Sequence, residues 1–143
     1  MNDLRTNPQN TSVLIVDDNP QYAAMLKRIL TGAFGYRDVS LVESIETAFE
    51  LLSGNPQRFQ LLFVDYNFPD GANGGQLLER LQKESMLKGR AAFLITAEPT
   101  VENMKQASAA GALGVVAKPF DRDDLKHKLE NARRSIEAGE EEF

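Results

Sequence analysis

The chain has 143 residues, 42% of them hydrophobic, which suits one domain with one core. Its net charge of −5 and lack of basic clusters exclude a nucleic-acid footprint. With no cysteine there are no disulfides or thiolate metal sites, and no apolar stretch approaches the ~20 residues of a membrane span.

The opening "MNDLRTNPQNT" (1–11) lacks a signal peptide's apolar region and reads as a flexible polar tail, so a cytoplasmic location is expected. "VLIV" (13–16) is a short β-branched strand that ends in Asp17 and Asp18. The period then changes: Tyr22, Leu26, Ile29 and Leu30 share one helical face, with Pro20 in the first turn and Asn19 placed to cap it. "VSLV" (39–42) is a second strand, and Ile45, Ala48, Phe49 and Leu52 repeat at helical spacing over 44–52. In the third strand, 60–65, Leu61, Leu62, Phe63 and Val64 form a continuous apolar run that reads as buried on both faces, yet it closes on Asp65.

Past a glycine-rich turn, Leu77, Leu78 and Leu81 mark a third helix. "AAFLIT" (91–96) is the fourth strand, ending in Thr96. Residues 100–110 form a helix whose thin apolar face is expected to hold Val101 and Met104 followed by alanines. "GVVA" (114–117) is the fifth strand, and Lys118 and Pro119 follow it. In the last helix Asp121 can cap, Phe120 can staple against Leu125, and Leu125, Leu129, Ala132 and Ile136 line the buried face. His127 lies off that face, and from Gly139 the acidic tail (139–143) is expected to fray.

Five apolar strands alternating with five amphipathic helices predict an α/β fold. We expect a doubly wound (βα)₅ three-layer sandwich of flavodoxin-like type, with a parallel sheet in the order 2-1-3-4-5 over residues 12–138. In such a sheet all strand C-termini share one edge, and ligands bind there. Strands one and three are neighbours, so Asp17, Asp18 and Asp65 converge in a cleft at that edge, with Thr96 and Lys118 beside them. Three carboxylates held together repel one another unless a cation joins them. Mg²⁺ suits such a group, because it takes carboxylates and shares the rest of its shell with phosphate. Lys118 adds a second positive point and Thr96 a hydroxyl, a set able to stabilise a phosphoryl group passing to a carboxylate nucleophile.

"VDD" (16–18), "VDYNFP" (64–69), "ITAE" (95–98) and "AKPF" (117–120) together give the chain its likeness. It resembles the receiver domain of two-component response regulators, of the stand-alone type found in chemotaxis, over residues 12 to 137. The resemblance implies a phosphorelay signalling protein, not an enzyme beyond self-phosphorylation and autodephosphorylation. Asp65 would accept the phosphoryl group from a sensor histidine kinase or a phosphotransfer protein. Asp18, with Asp17 behind it, would hold Mg²⁺ together with Asp65 and the backbone carbonyl of Asn67. Thr96 would bond a phosphoryl oxygen, Lys118 would pair with it, and the Lys118–Pro119 bond would be cis.

Two departures from the family pattern stand out. The turn after Pro69 reads "DGANGG", so the expected glycine is displaced to Gly74 or its role passes to Gly71, as a one-residue insertion would produce. At the switch position three residues before the lysine, Val115 stands where the family often carries an aromatic ring. Two other classes compete. A flavodoxin-like cofactor binder needs a hydroxyl- and glycine-rich loop after strand one, where this chain has acids. A pseudo-receiver would keep the fold and never take phosphate. No folded output domain is expected after residue 138, so output would run through a protein partner, homodimerisation or onward phosphotransfer.

Overall fold

The computed structural model describes residues 7–141, with side-chain environments through Ala138. Residues 1–6 of the expected N-terminal tail, and the last two of the acidic tail, lie outside the described residues. Five strands alternate with five helices: β1 Ser12–Val16, α1 Pro20–Phe34, β2 Asp38–Val42, α2 Ile45–Gly54, β3 Leu61–Asp65, α3 Gly74–Lys83, β4 Ala91–Thr96, α4 Val101–Ala109, β5 Gly114–Ala117 and α5 Arg122–Glu141. The sheet is parallel, in the order β2-β1-β3-β4-β5.

Alternation along each strand sends successive side chains to opposite faces, and both faces are covered. On one side Val13, Ile15, Phe63 and Phe93 pack with Leu26 and Leu30 of α1 and Leu125 and Leu129 of α5. On the other, Leu14, Val16, Leu62 and Val64 pack with Leu52 of α2, Leu77 and Leu81 of α3, and Ala107 of α4. β3 lies at the middle of the sheet and all five of its residues are buried, which is why its sequence is apolar up to the acid. The helix starts are capped by side chains: Asn19, Ser44, Asn73 and Thr100 each accept backbone N–H groups of the first turn.

Three local features differ from the sequence expectations. Residues 7–11 are tied into a turn, where Asn10 N–H and Thr11 Oγ1 both donate to the Asn7 carbonyl, at 2.9 and 2.8 Å, and Thr11 is buried. α5 continues through Gly139 to Glu141. In α4 the two larger residues of the expected apolar face point outward, Val101 at 69% and Met104 at 47% exposure, while its alanines Ala107 and, at the helix end, Ala110 are buried. The small alanine side chains let the helix lie close to the sheet and leave its larger residues at the rim.

Candidate functional site

Strand register builds the site. Val16 of β1 pairs with Val64 of β3, so the next residues, Asp17 and Asp65, emerge side by side at the C-terminal edge. Backbone bonds carry the ladder past the strand ends and hold these positions. Asp17 N–H donates to the Val42 carbonyl (3.0 Å), Tyr66 N–H to Ile95 (2.9 Å) and Lys118 N–H to Thr96 (2.9 Å). The Lys118–Pro119 peptide bond is cis.

Ligand oxygens of Asp17, Asp18 and Asp65 lie within 4.8 Å of one another. Lys118 Nζ sits 3.3 Å from Asp65 Oδ1 and 3.5 Å from Asp17 Oδ2. Asp17 Oδ1 accepts the Asn19 N–H at 2.9 Å, but its Oδ2 is buried without a hydrogen-bond partner, the ammonium being near yet too long for a good bond. A buried carboxylate oxygen left unbonded is costly, and an all-oxygen acid cluster is what a hard divalent cation takes. The residues present therefore fit Mg²⁺.

Asp65 is more enclosed than a residue at an open cleft, at 7% exposure. That burial, with Asp17 close by, pushes its carboxyl up to about 6; the Lys118 charge and hydrogen bond pull the other way, and Asp18 adds a smaller upward push. Asp65 Oδ1 also accepts the Tyr66 N–H at 3.1 Å. Thr96 is 5% exposed and its Oγ1 accepts the Glu98 N–H at 3.1 Å, which leaves the hydroxyl hydrogen able to donate elsewhere.

Asn67 pairs with Asn73 in an isolated antiparallel bridge, so the loop after Asp65 is closed on itself. Gly74 N–H donates to the Tyr66 carbonyl at 2.9 Å and Phe68 N–H to Ala72 at 3.2 Å. The two candidate glycines divide the work: Gly71 takes a left-handed backbone (φ 86°), while a Cβ on Gly74 would clash with the Asp65 carbonyl oxygen. Val115 is half-buried beside the second core layer and pairs in register with Leu94. His127 is exposed.

Two tyrosines belong to the site although sequence reading did not place them there. The Tyr22 ring lies under Lys118, with Nζ 4.4 Å from its centroid, and stands edge-on to Phe120 at 6.1 Å. The signal was its place in the first turn of α1, four residues after Asp18. Tyr66 packs against the second core layer and its hydroxyl donates to Gln106 Oε1 of α4 at 2.9 Å, a contact no local pattern announces.

Residues 13–130 match the response regulator receiver domain family. The chain is 34% identical to chemotaxis protein CheY of Pseudomonas aeruginosa over 119 residues, covering 82% of this chain and 92% of that one. It is 31% identical to CheY-3 of Vibrio cholerae over 122 residues, covering 85% and 91%. Among solved structures, Vibrio cholerae CheY4 superposes with a TM-score of 0.74 at 26% identity, covering 85% of this chain and 98% of that one. A CheY-like receiver domain protein of Methanospirillum hungatei gives 0.71 at 26%, covering 93% and 98%. Among the described residues no helix is long and apolar enough to cross a membrane.

Proposed function

The chain belongs to the response regulator receiver domain family, and from that premise we propose that it is a phosphorelay protein that accepts a phosphoryl group on Asp65. The observation that carries this is the pairing of an enclosed Asp65 carboxylate with Lys118 Nζ 3.3 Å away. An Asp65 oxygen attacks the phosphorus of a phosphohistidine on a sensor histidine kinase or phosphotransfer protein; the P–N bond breaks, and the imidazole leaves with its electron pair. The product is an aspartyl phosphate. Asp17, Asp18, Asp65 and the Asn67 backbone carbonyl would hold Mg²⁺. When bound, the metal neutralises charge on the phosphoryl oxygens. Lys118 pairs with the incoming phosphoryl oxygens as a point charge, and the Thr96 hydroxyl donates to another.

Turnover is confined to self-phosphorylation and hydrolysis at Asp65, and output runs through protein contacts in the cytoplasm, self-association included. Incubation with acetyl phosphate and Mg²⁺ tests this. Wild-type protein becomes labelled through an acid-stable, hydroxylamine-labile acyl phosphate, and Asp65→Asn is not. An unlabelled wild type, folded and metal-bound, would establish the pseudo-receiver instead.

A further inference from the structure

Three neighbours of Lys118 respond differently to a metal. Asp17 Oδ2 at 3.5 Å and Asp65 Oδ1 at 3.3 Å are anionic and belong to the acid cluster. A divalent cation in that cluster would compete with the ammonium for both, and these contacts would weaken when the lysine is needed. The third neighbour is the Tyr22 ring, 4.4 Å from Nζ, which no cation in the cluster can take over. Its attraction comes from the negative face of the ring and grows when the ammonium is shielded from water, and the Lys118 side chain is only 11% exposed. The ring does not move freely: it is half-buried on α1, and Phe120, two residues beyond Lys118, meets it edge-on with an interplanar angle of 86°. The aromatic pair thus brackets the Lys118–Pro119 segment.

We propose that Tyr22 is a positioning residue for phosphoryl acceptance: its ring holds the Lys118 ammonium beside Asp65 where the ammonium's contacts to the acids would weaken with a cation bound. This rests on the assignment of Asp65 as phosphoryl acceptor. Tyr22 acts only through Lys118, and what it contributes is the ring face. Tyr22→Phe keeps that face; Tyr22→Leu keeps apolar bulk against Phe120 and loses it.

A double-mutant cycle on the rate of labelling by acetyl phosphate, at saturating Mg²⁺, tests this. Tyr22→Leu slows labelling by roughly tenfold, between the sizes of an exposed and a fully desolvated cation–π contact, and Tyr22→Phe restores it. In a Lys118→Ala background, which labels slowly but measurably, Tyr22→Leu has no further effect. An equal slowing by Tyr22→Leu in both backgrounds, or a Tyr22→Phe protein as slow as Tyr22→Leu, overturns the proposal. A second readout does not depend on phosphorylation. The Lys118 ε-methylene protons resonate upfield in the wild type through the ring current, stay upfield when Mg²⁺ is added, and return to ordinary values in Tyr22→Leu. Loss of the upfield shift on adding Mg²⁺ to the wild type also overturns it. If the wild type is never labelled but this shift persists, the phosphoryl assignment fails and the Tyr22–Lys118 contact stands.

Discussion

The Tyr66 hydroxyl donates to Gln106 Oε1 at 2.9 Å, so the residue directly after Asp65 is bonded to α4, 40 positions further along the chain. Receivers convert a local change into a surface change through elements with two discrete arrangements. With valine at 115 there is no ring to swing at that position, because a β-branched side chain is stiff at χ1. α4 is thinly held by packing: Ala107 is buried, while Val101 and Met104 face solvent. We therefore expect beryllofluoride with Mg²⁺ to change hydrogen exchange chiefly in residues 97–112 and little around Val115. Tyr66→Phe breaks the bond to α4, costs about 1 kcal/mol or less in stability, and shrinks that exchange response. Exchange changes confined to α1 and α5 would refute this route.

Gly74 and Gly71 should behave differently under the same substitution. A Cβ at Gly74 would clash with the Asp65 carbonyl oxygen and stand 2.8 Å from Val64 Cγ1, both in the packed centre of the sheet. Neither can yield without moving the strand that carries Asp65, so Gly74→Ala is expected to cost about 1–3 kcal/mol and to slow labelling of Asp65. At Gly71 there is open space, and the cost of alanine there is the φ of 86° alone, about 1 kcal/mol. Urea denaturation of the two variants checks the order; equal costs would mean that the loop, and not β3, absorbs the clash.

Much of this was readable from local pattern because β1, β3, β4 and β5 are short and apolar, and each is ended or followed at once by a candidate site residue. Asp17, Asp65, Thr96 and Lys118 could be placed at one edge as soon as the strand order was set, and the register Val16↔Val64 brings the two acids together. What local pattern missed has a common cause. Periodicity ranks residues by apolarity, so it put Val101 and Met104 of α4 inward with the alanines, whereas only alanines are buried, Ala107 among them. It counted Tyr22 as one more core residue of α1, since a ring's polar partner lies on another element, here Lys118. The Tyr66–Gln106 bond is invisible for the same reason. The "DGANGG" turn left two glycines open, and only the approach of Gly74 to the Asp65 carbonyl separates a packing role from a turning one.

Metal should stabilise the fold measurably. Asp17 Oδ2 is buried without a hydrogen-bond partner, in a cluster of three acids faced by Lys118. A cation that binds the folded cluster adds RT ln(1 + [L]/Kd), about 1.4 kcal/mol at ten times Kd. Thermal melts with increasing Mg²⁺ should rise accordingly in the wild type and much less in Asp18→Ala, which loses a ligand. A wild-type melt indifferent to Mg²⁺ would count against the cluster as a metal site.

Lys118→Ala should leave metal binding intact and tighten it, because the ammonium no longer competes for Asp17 and Asp65 at 3.5 and 3.3 Å. Labelling of Asp65 should slow without vanishing, since the nucleophile remains. Calorimetric titration with Mg²⁺ and a labelling time course separate the two effects. Weakened binding together with lost labelling would show that Lys118 serves the fold of the site and not the phosphoryl group.

The raised carboxyl of Asp65 has a consequence for stability with a definite sign. In the folded, metal-free protein it titrates at about 6, mainly because it is buried, against an ordinary 3.8 for an aspartate. Between those values the folded state holds more protons than the unfolded one, so stability falls as pH rises through the window. The contribution is fully present below about 4 and gone above about 6. This runs opposite to the usual paired carboxylate, whose stabilisation is lost on acidification. Asp65→Asn has nothing to ionise at that position, so with EDTA present its stability relative to the wild type should improve from about pH 4 to about pH 7. Added Mg²⁺ should erase the difference in slope, because the metal favours the ionised form. Paired urea titrations at four pH values across that range measure this directly. A stability difference between wild type and Asp65→Asn that stays constant over the range would mean that Asp65 titrates near its ordinary value, with Lys118 outweighing burial.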